Sequence, residues 1–86
     1  MAKYDLLISQ SAEKTLKKLP SKEAFRVATA IEKLAIEPRP QGCRKMSGET
    51  DTYRVRVGVY RIIYEVEDRF IRILVLKIGH RKDVYR

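Results

Sequence analysis

Two periods divide this chain. Up to about residue 35 the apolar positions recur every three or four residues, and from residue 53 onward they recur every second residue. The first spacing is that of amphipathic helices and the second that of half-buried strands. Before the helical part, residues 4–8 read as a short strand, and Ser9, Gln10 and Ser11 supply N-cap chemistry for the helix that follows. Ala12, Leu16 and Leu19 then fall on one helical stripe. Pro20 lacks an N–H and disfavours helix at the residue before it, so the first helix is predicted to stop at Leu19.

Ser21 is predicted to cap a longer second helix whose face carries Ala24, Val27, Ala28, Ile31, Leu34 and Ala35, and which Pro38 and Pro40 end. With almost nothing between them, the two helices are expected to form a hairpin on one common surface. Residues 39–51 contain Pro, Gly, Ser and Thr without periodicity and are read as the one real loop. Residues 53–57 and 60–66 then alternate as strands, while 70–78 is almost continuously apolar and predicts a central strand covered on more than one side. The predicted class is α+β, with an N-terminal strand and a helical hairpin packed on a small, mostly antiparallel four-stranded sheet. At 86 residues the chain has room for one domain, spanning 1–86.

Register makes the second half more informative. If Gly58 and Val59 form a two-residue turn, with glycine first to take the positive φ of a type II′ turn, Val57 faces Tyr60. Counting outward, Val55 faces Ile62 and Tyr53 faces Tyr64, which makes one side of the hairpin apolar and aromatic and fit to meet the helices. On the other side Arg56 faces Arg61, with Arg54 beside them opposite Ile63. Three guanidinium groups are therefore expected on one surface, with no carboxylate directly opposite. Like charges set opposite each other in a sheet are unfavourable, so an anionic partner is expected there. A solvated edge that guards against aggregation is the plainer reading, although that task usually falls to lysine. Arginine is the better fork for phosphate.

Composition supports this direction. Nineteen lysines and arginines against 11 acidic residues give a net charge of +8, which calls for a polyanionic partner of some kind. Nucleic acid, an acidic protein or an anionic membrane surface would each satisfy it. The longest apolar run, residues 73–76, is far too short to span a bilayer. No signal-peptide pattern is visible at the start, and the cytoplasm is the expected compartment. Cys43 is the only cysteine and His80 the only histidine, which rules out an internal disulfide and a zinc site built within the chain. Cys43 itself is read as an ordinary loop cysteine. Glu49, Glu65 and Asp83 form no metal-binding pattern, so neither metal nor cofactor is expected. After Gly79 the chain adds His80, Arg81, Lys82, Tyr85 and Arg86. Cations beside an aromatic ring that can stack on a base suit single-stranded nucleic acid, although Tyr85 would equally serve to dock the tail.

The run Tyr53-Arg-Val-Arg-Val-Gly-Val-Tyr-Arg-Ile-Ile-Tyr64, followed by Gly79-His-Arg-Lys-Asp-Val-Tyr85, resembles the RelE branch of the RelE/ParE toxin superfamily. Lys45-Met-Ser-Gly48 is similar to the family's loop before the second strand, and the resemblance covers essentially the whole chain. It implies a toxin that cuts messenger RNA, typically on the ribosome, and that a cognate antitoxin silences. Operator DNA would be met only through the antitoxin complex. The implied chemistry is attack by the ribose 2′-hydroxyl on the adjacent phosphate, giving a 2′,3′-cyclic phosphate and a free 5′-hydroxyl.

The resemblance places Arg54 and Arg56 at the two basic positions of the family's second strand, Arg61 at the arginine of the third, and Arg81 and Tyr85 at the C-terminal pair. It implies that Arg61 and its neighbours hold the phosphate, that Arg81 serves the departing 5′-oxygen and that Tyr85 stacks on a splayed base. Familiar members carry lysines where this chain has Arg54 and Arg56, and arginine releases a proton with great difficulty. His80 is the candidate acid or base in their place. Lys45, Lys77, Lys82 and Arg86 complete the expected RNA-binding set. Two other functions fit the same features: a ParE-like toxin that binds gyrase without nuclease chemistry, and a non-catalytic nucleic-acid-binding module.

Overall fold

The computed structural model describes residues 3–46, 48 and 51–80. Five strands and two helices follow in the order β1 (Asp5–Ile8), α1 (Gln10–Lys18), α2 (Ser21–Leu34), β2 (Arg44–Lys45), β3 (Thr52–Val57), β4 (Tyr60–Glu67) and β5 (Arg72–His80). They form one sheet in the order β1-β5-β4-β3-β2, in which only the β1–β5 pair is parallel. The class is the α+β arrangement expected, with one strand more. The added strand is β2, which lies inside the segment read as pure loop. Its two residues are too few to show a period, and pairing with β3 rather than intrinsic preference makes them extended.

Ser9 performs the expected capping and a second task besides. Its hydroxyl oxygen accepts from the Ala12 N–H at 3.0 Å and its O–H donates to the Leu76 carbonyl at 2.7 Å, tying the start of α1 to β5. Leu19 is extended, at φ −74° and ψ 149°, as a residue before proline should be. Ser21, expected to cap α2, is instead its first residue. Pro20 occupies the cap position and offers no side-chain acceptor. Because Pro20 has its φ fixed and no N–H to satisfy, the helix can begin directly after it.

Both helices pack on one side of the sheet. Ala12, Val27, Ile31 and Leu34 meet Ile62, Tyr64, Val66, Ile73, Val75 and Ile78 in a single buried cluster. Each fully buried aliphatic side chain contributes about 1.5–3 kcal/mol, so this layer dominates the stability of so short a chain.

The last strand is interior, as its apolar run predicts, with β1 on one side and β4 on the other, and a bulge adds a second cause for the run. The middle strand of the sheet is β4, and β5 lies beside it. A bulge between Ile63 and Tyr64 shifts the register, so that Ile62 faces Ile78 but Tyr64 faces Val75. Val75 and Ile78, three apart, thereby reach the same buried side. The bulge removes the alternation locally, which the sequence pattern registers as an uninterrupted apolar stretch.

Candidate nucleic-acid interface

The register expected for the hairpin is the register observed. Val57 pairs with Tyr60, Arg56 with Arg61, Val55 with Ile62, Arg54 with Ile63 and Tyr53 with Tyr64. Gly58 has φ 61° and Val59 is absent from the residues of positive φ, as a type II′ turn requires. Alternation then sends Tyr53, Val55, Val57, Tyr60, Ile62 and Tyr64 toward the helices, and Arg54, Arg56, Arg61 and Ile63 to the open side.

Two rows of side chains cross that open face. One runs Arg44, Arg54, Ile63, Lys77 from β2 to β5, and the next runs Arg56, Arg61, Gly79. Arg61 is only 2% exposed, so it forms part of the floor, while Arg44, Arg56 and Lys77 are exposed and Arg54 is half-buried. Gly79, itself buried, stands across from Arg61 and ends this row on β5. Such an arrangement can bind a phosphate by several forked donors and offset charge that grows on its oxygens.

Three carboxylates among the described residues are engaged elsewhere. Glu23 lies 3.7 Å from Arg26, Asp68 2.8 Å from Arg39 and Glu67 2.5 Å from Arg72. None of these pairs involves Arg44, Arg54, Arg56 or Lys77. Arg39 is the contrasting case. Its fork grips Asp68, its Nε donates to the Tyr53 hydroxyl at 2.9 Å, and its guanidinium sits 5.1 Å from the Tyr53 ring centre. The hydrogen bonds from Arg39 and from the Tyr4 hydroxyl hold the Asp68 carboxyl below its ordinary range. In turn Asp68 raises Tyr4 and Arg39. Nearby, Tyr64 donates to the Pro38 carbonyl at 2.8 Å, and burial chiefly, with Cys43 beside it, pushes its phenol up.

Two expected site residues stand on the other side of the sheet. His80 pairs with Tyr60, in the row facing the helices, and its ring lies edge-on to that tyrosine at 5.6 Å. One residue of alternation past Gly79 is enough to turn it away from the arginines. Lys45 pairs with Tyr53 and so also belongs to a helix-facing row. Arg44, which sequence reasoning passed over, takes the place on the open face that Lys45 was expected to hold. Only the pairing of β2 with β3 could have shown this, and a two-residue strand carries no periodic signal. Arg81, Lys82, Tyr85 and Arg86 lie outside the described residues. No helix among the described residues is long and apolar enough to cross a membrane.

Residues 6–85 match the family described as "ParE toxin of type II toxin-antitoxin system, parDE". Toxin RelG of Mycobacterium tuberculosis is 31% identical over 84 residues, covering 96% of this chain and 97% of that protein. Among solved structures, the archaeal RelE–RelB complex from Pyrococcus horikoshii OT3 contains a similar chain, with a TM-score of 0.83 and 31% identity over 95% of this chain and 99% of the other. The RelBE2 toxin–antitoxin complex of Mycobacterium tuberculosis contains another, with a TM-score of 0.82 and 27% identity over 96% and 97% of the two chains.

Proposed function

Since this chain belongs to the ParE toxin family of type II toxin–antitoxin systems, within the RelE/ParE superfamily, we propose that it is the member's toxin in the form of a metal-independent endoribonuclease. The substrate is messenger RNA, cut on the ribosome in the cytoplasm, and one domain spanning 1–86 performs the reaction. The observation that carries this reading is the pair of cationic rows on the open face of β3, β4 and β5, where arginines stand opposite arginine and isoleucine rather than carboxylate.

In the reaction the ribose 2′-hydroxyl gives its proton to water as its oxygen attacks the adjacent phosphorus, and the bond from phosphorus to the 5′-oxygen breaks as that oxygen takes up a proton. The products are a 2′,3′-cyclic phosphate and a free 5′-hydroxyl. Because the nucleophile belongs to the RNA, the protein's main tasks are alignment and charge stabilisation. Arg54 and Arg56 grip the phosphate from the exposed side, and Arg61 meets it from the floor. Arg44 and Lys77 hold the flanking backbone at the two ends of their row. Arg81 serves the leaving 5′-oxygen, Tyr85 stacks on a base, and Lys82 and Arg86 add cations to the same path. His80 supports the end of the hairpin through Tyr60 and takes no proton in this scheme.

The RelE chain of the archaeal complex is held by RelB, and a cognate antitoxin of this chain would cover the arginine face with acidic or helical segments. Operator DNA enters only through that complex. The match to a family of ParE toxins keeps one other reading in view, a ParE-like toxin acting on gyrase without cutting RNA. Controlled expression of the wild type beside Arg54→Ala and Arg56→Ala separates the two. The nuclease reading expects growth arrest with message ends bearing 5′-hydroxyl groups for the wild type alone. Arrest with intact messages and inhibited DNA supercoiling would establish the gyrase reading instead.

A further inference from the structure

The chemistry above leaves unused a groove between α2 and the tip of the β3–β4 hairpin. It encloses about 420 Å³, and its walls include Phe25, Arg26, Thr29, Lys33, Arg56 and Gly58. Phe25 is 73% exposed, although the same helix buries Val27 and Ile31 completely or nearly so. Around this ring stand three cations. Arg26 lies over the hairpin turn, its Nη1 3.4 Å from where a side chain on Gly58 would begin, so the glycine leaves the guanidinium its place. Thr29 donates its hydroxyl proton to the Phe25 carbonyl at 2.8 Å, which turns its oxygen lone pairs outward as acceptors.

Arg56 belongs to both surfaces. Alternation places it on the open face beside Arg61, and it also walls the groove. Among the described residues β2 pairs only with Tyr53 and Arg54, so the edge of β3 from Val55 to Val57 is bare between the two surfaces. A strand crossing the arginine rows can therefore turn around that edge without leaving positive potential.

We propose that this groove is a second nucleotide subsite for the RNA. A base flanking the cleaved step stacks on Phe25, its phosphate lies between Arg56 and Lys33, and the Thr29 oxygen accepts from a base N–H. The inference rests on the RNA-cleaving reading and extends it to a nucleotide outside the reacting pair. An acidic peptide would find the same cations, but a peptide anchor needs a closed apolar pocket to fill. This groove instead offers one flat ring in an open, half-polar cleft, which suits a base because every base has a π-face.

The test uses the full chain and fluorescein-labelled 2′-O-methyl oligonucleotides, which lack the nucleophile and stay intact. With a twelve-nucleotide strand, Phe25→Ala should weaken binding about ten-fold and Phe25→Trp should restore it. Lys33→Gln should lower the slope of log affinity against log salt by about one. A trinucleotide, which spans only the cleaved step, should bind all variants alike. Since Phe25 is exposed, its variants should keep the wild-type melting temperature. If Phe25→Ala binds the longer strand as the wild type does while Arg54→Ala loses it, the subsite is overturned and the RNA reading stands. If the wild type binds neither oligonucleotide and cuts no message, both fall. If Phe25→Ala keeps its RNA affinity but loses affinity for the antitoxin, the groove belongs to an acidic protein segment and the subsite is likewise overturned.

Discussion

The two sides of the β3–β4 hairpin are made from alternate residues of the same fourteen, yet different physics governs each. On the helix side Tyr53 stacks on Tyr64 with ring centres 5.9 Å apart, and Ile62 is fully buried. On the open side, one residue away along each strand, Arg56 stands across from Arg61. The first set gains by contact and exclusion of water, whereas the exposed members of the second, Arg56 above all, are intelligible chiefly through a partner. Stability and activity should therefore separate by parity along the strand.

The largest effect that can test this separation lies on the packed side. Ile62→Ala removes a fully buried side chain and should destabilise the fold by about 2–5 kcal/mol. Urea denaturation followed by circular dichroism measures it, and RNA cleavage per folded molecule should stay at the wild-type level. A variant that lost activity at an unchanged denaturation midpoint would break the division between the faces.

The open side should behave in the opposite sense. Arg54→Ala and Arg56→Ala should shift stability by no more than about 0.5 kcal/mol while lowering cleavage roughly 100-fold. Arg61 sharpens the comparison because it belongs to the reacting face and is 2% exposed. Arg61→Ala should lose both activity and stability, whereas Arg61→Lys should recover stability more than cleavage, since an ammonium keeps the charge but not the fork. Full recovery of cleavage by lysine would show that Arg61 acts through charge alone.

The parity of the hairpin was legible in the sequence because a two-residue turn with glycine first allows only one register, and that register fixes every side chain outward from it. The face of Arg54, Arg56 and Arg61 follows by counting. Three features were not legible, for separate reasons. The bulge at Ile63 and Tyr64 depends on how β5 fits against β4, and a single strand's pattern cannot show where its neighbour slips. Strand β2 is too short to carry a period, so Arg44 was passed over in favour of Lys45. His80 is the candidate acid or base because the family's lysines are arginines here, but it stands one residue past Gly79, and adjacent residues on a strand point to opposite faces.

Tyr64 probes the packed side more gently. Its raised phenol means that the unfolded chain ionises near pH 10 while the folded protein still holds its proton. The folded state then binds more protons than the unfolded one, so stability should fall as pH rises above about 10. Tyr64→Phe should flatten this alkaline limb in melting experiments. At neutral pH it should cost about 1 kcal/mol through the lost hydrogen bond to Pro38, with cleavage unaffected.

The smallest effect concerns Arg39, an arginine whose fate is the reverse of those on the open face. Its guanidinium is committed to Asp68 and Tyr53, so it has little to offer a phosphate. Asp68 is held below its ordinary range, and its contribution is therefore present above the unfolded value near pH 4 and lost as pH falls through the lower folded value. Asp68→Asn should lower the melting temperature slightly at pH 7, by less in high salt because the pair is exposed, and should weaken the fall in stability below pH 4. Cleavage should not change, since releasing Arg39 adds a cation beside Tyr53 and Asp68, which line neither the arginine rows nor the groove at Phe25. A marked rise in RNA affinity in this variant would mean that the substrate also reaches the surface around Tyr53 and Asp68, beyond the arginine rows and the groove at Phe25, and the comparison between the two faces would lose its force.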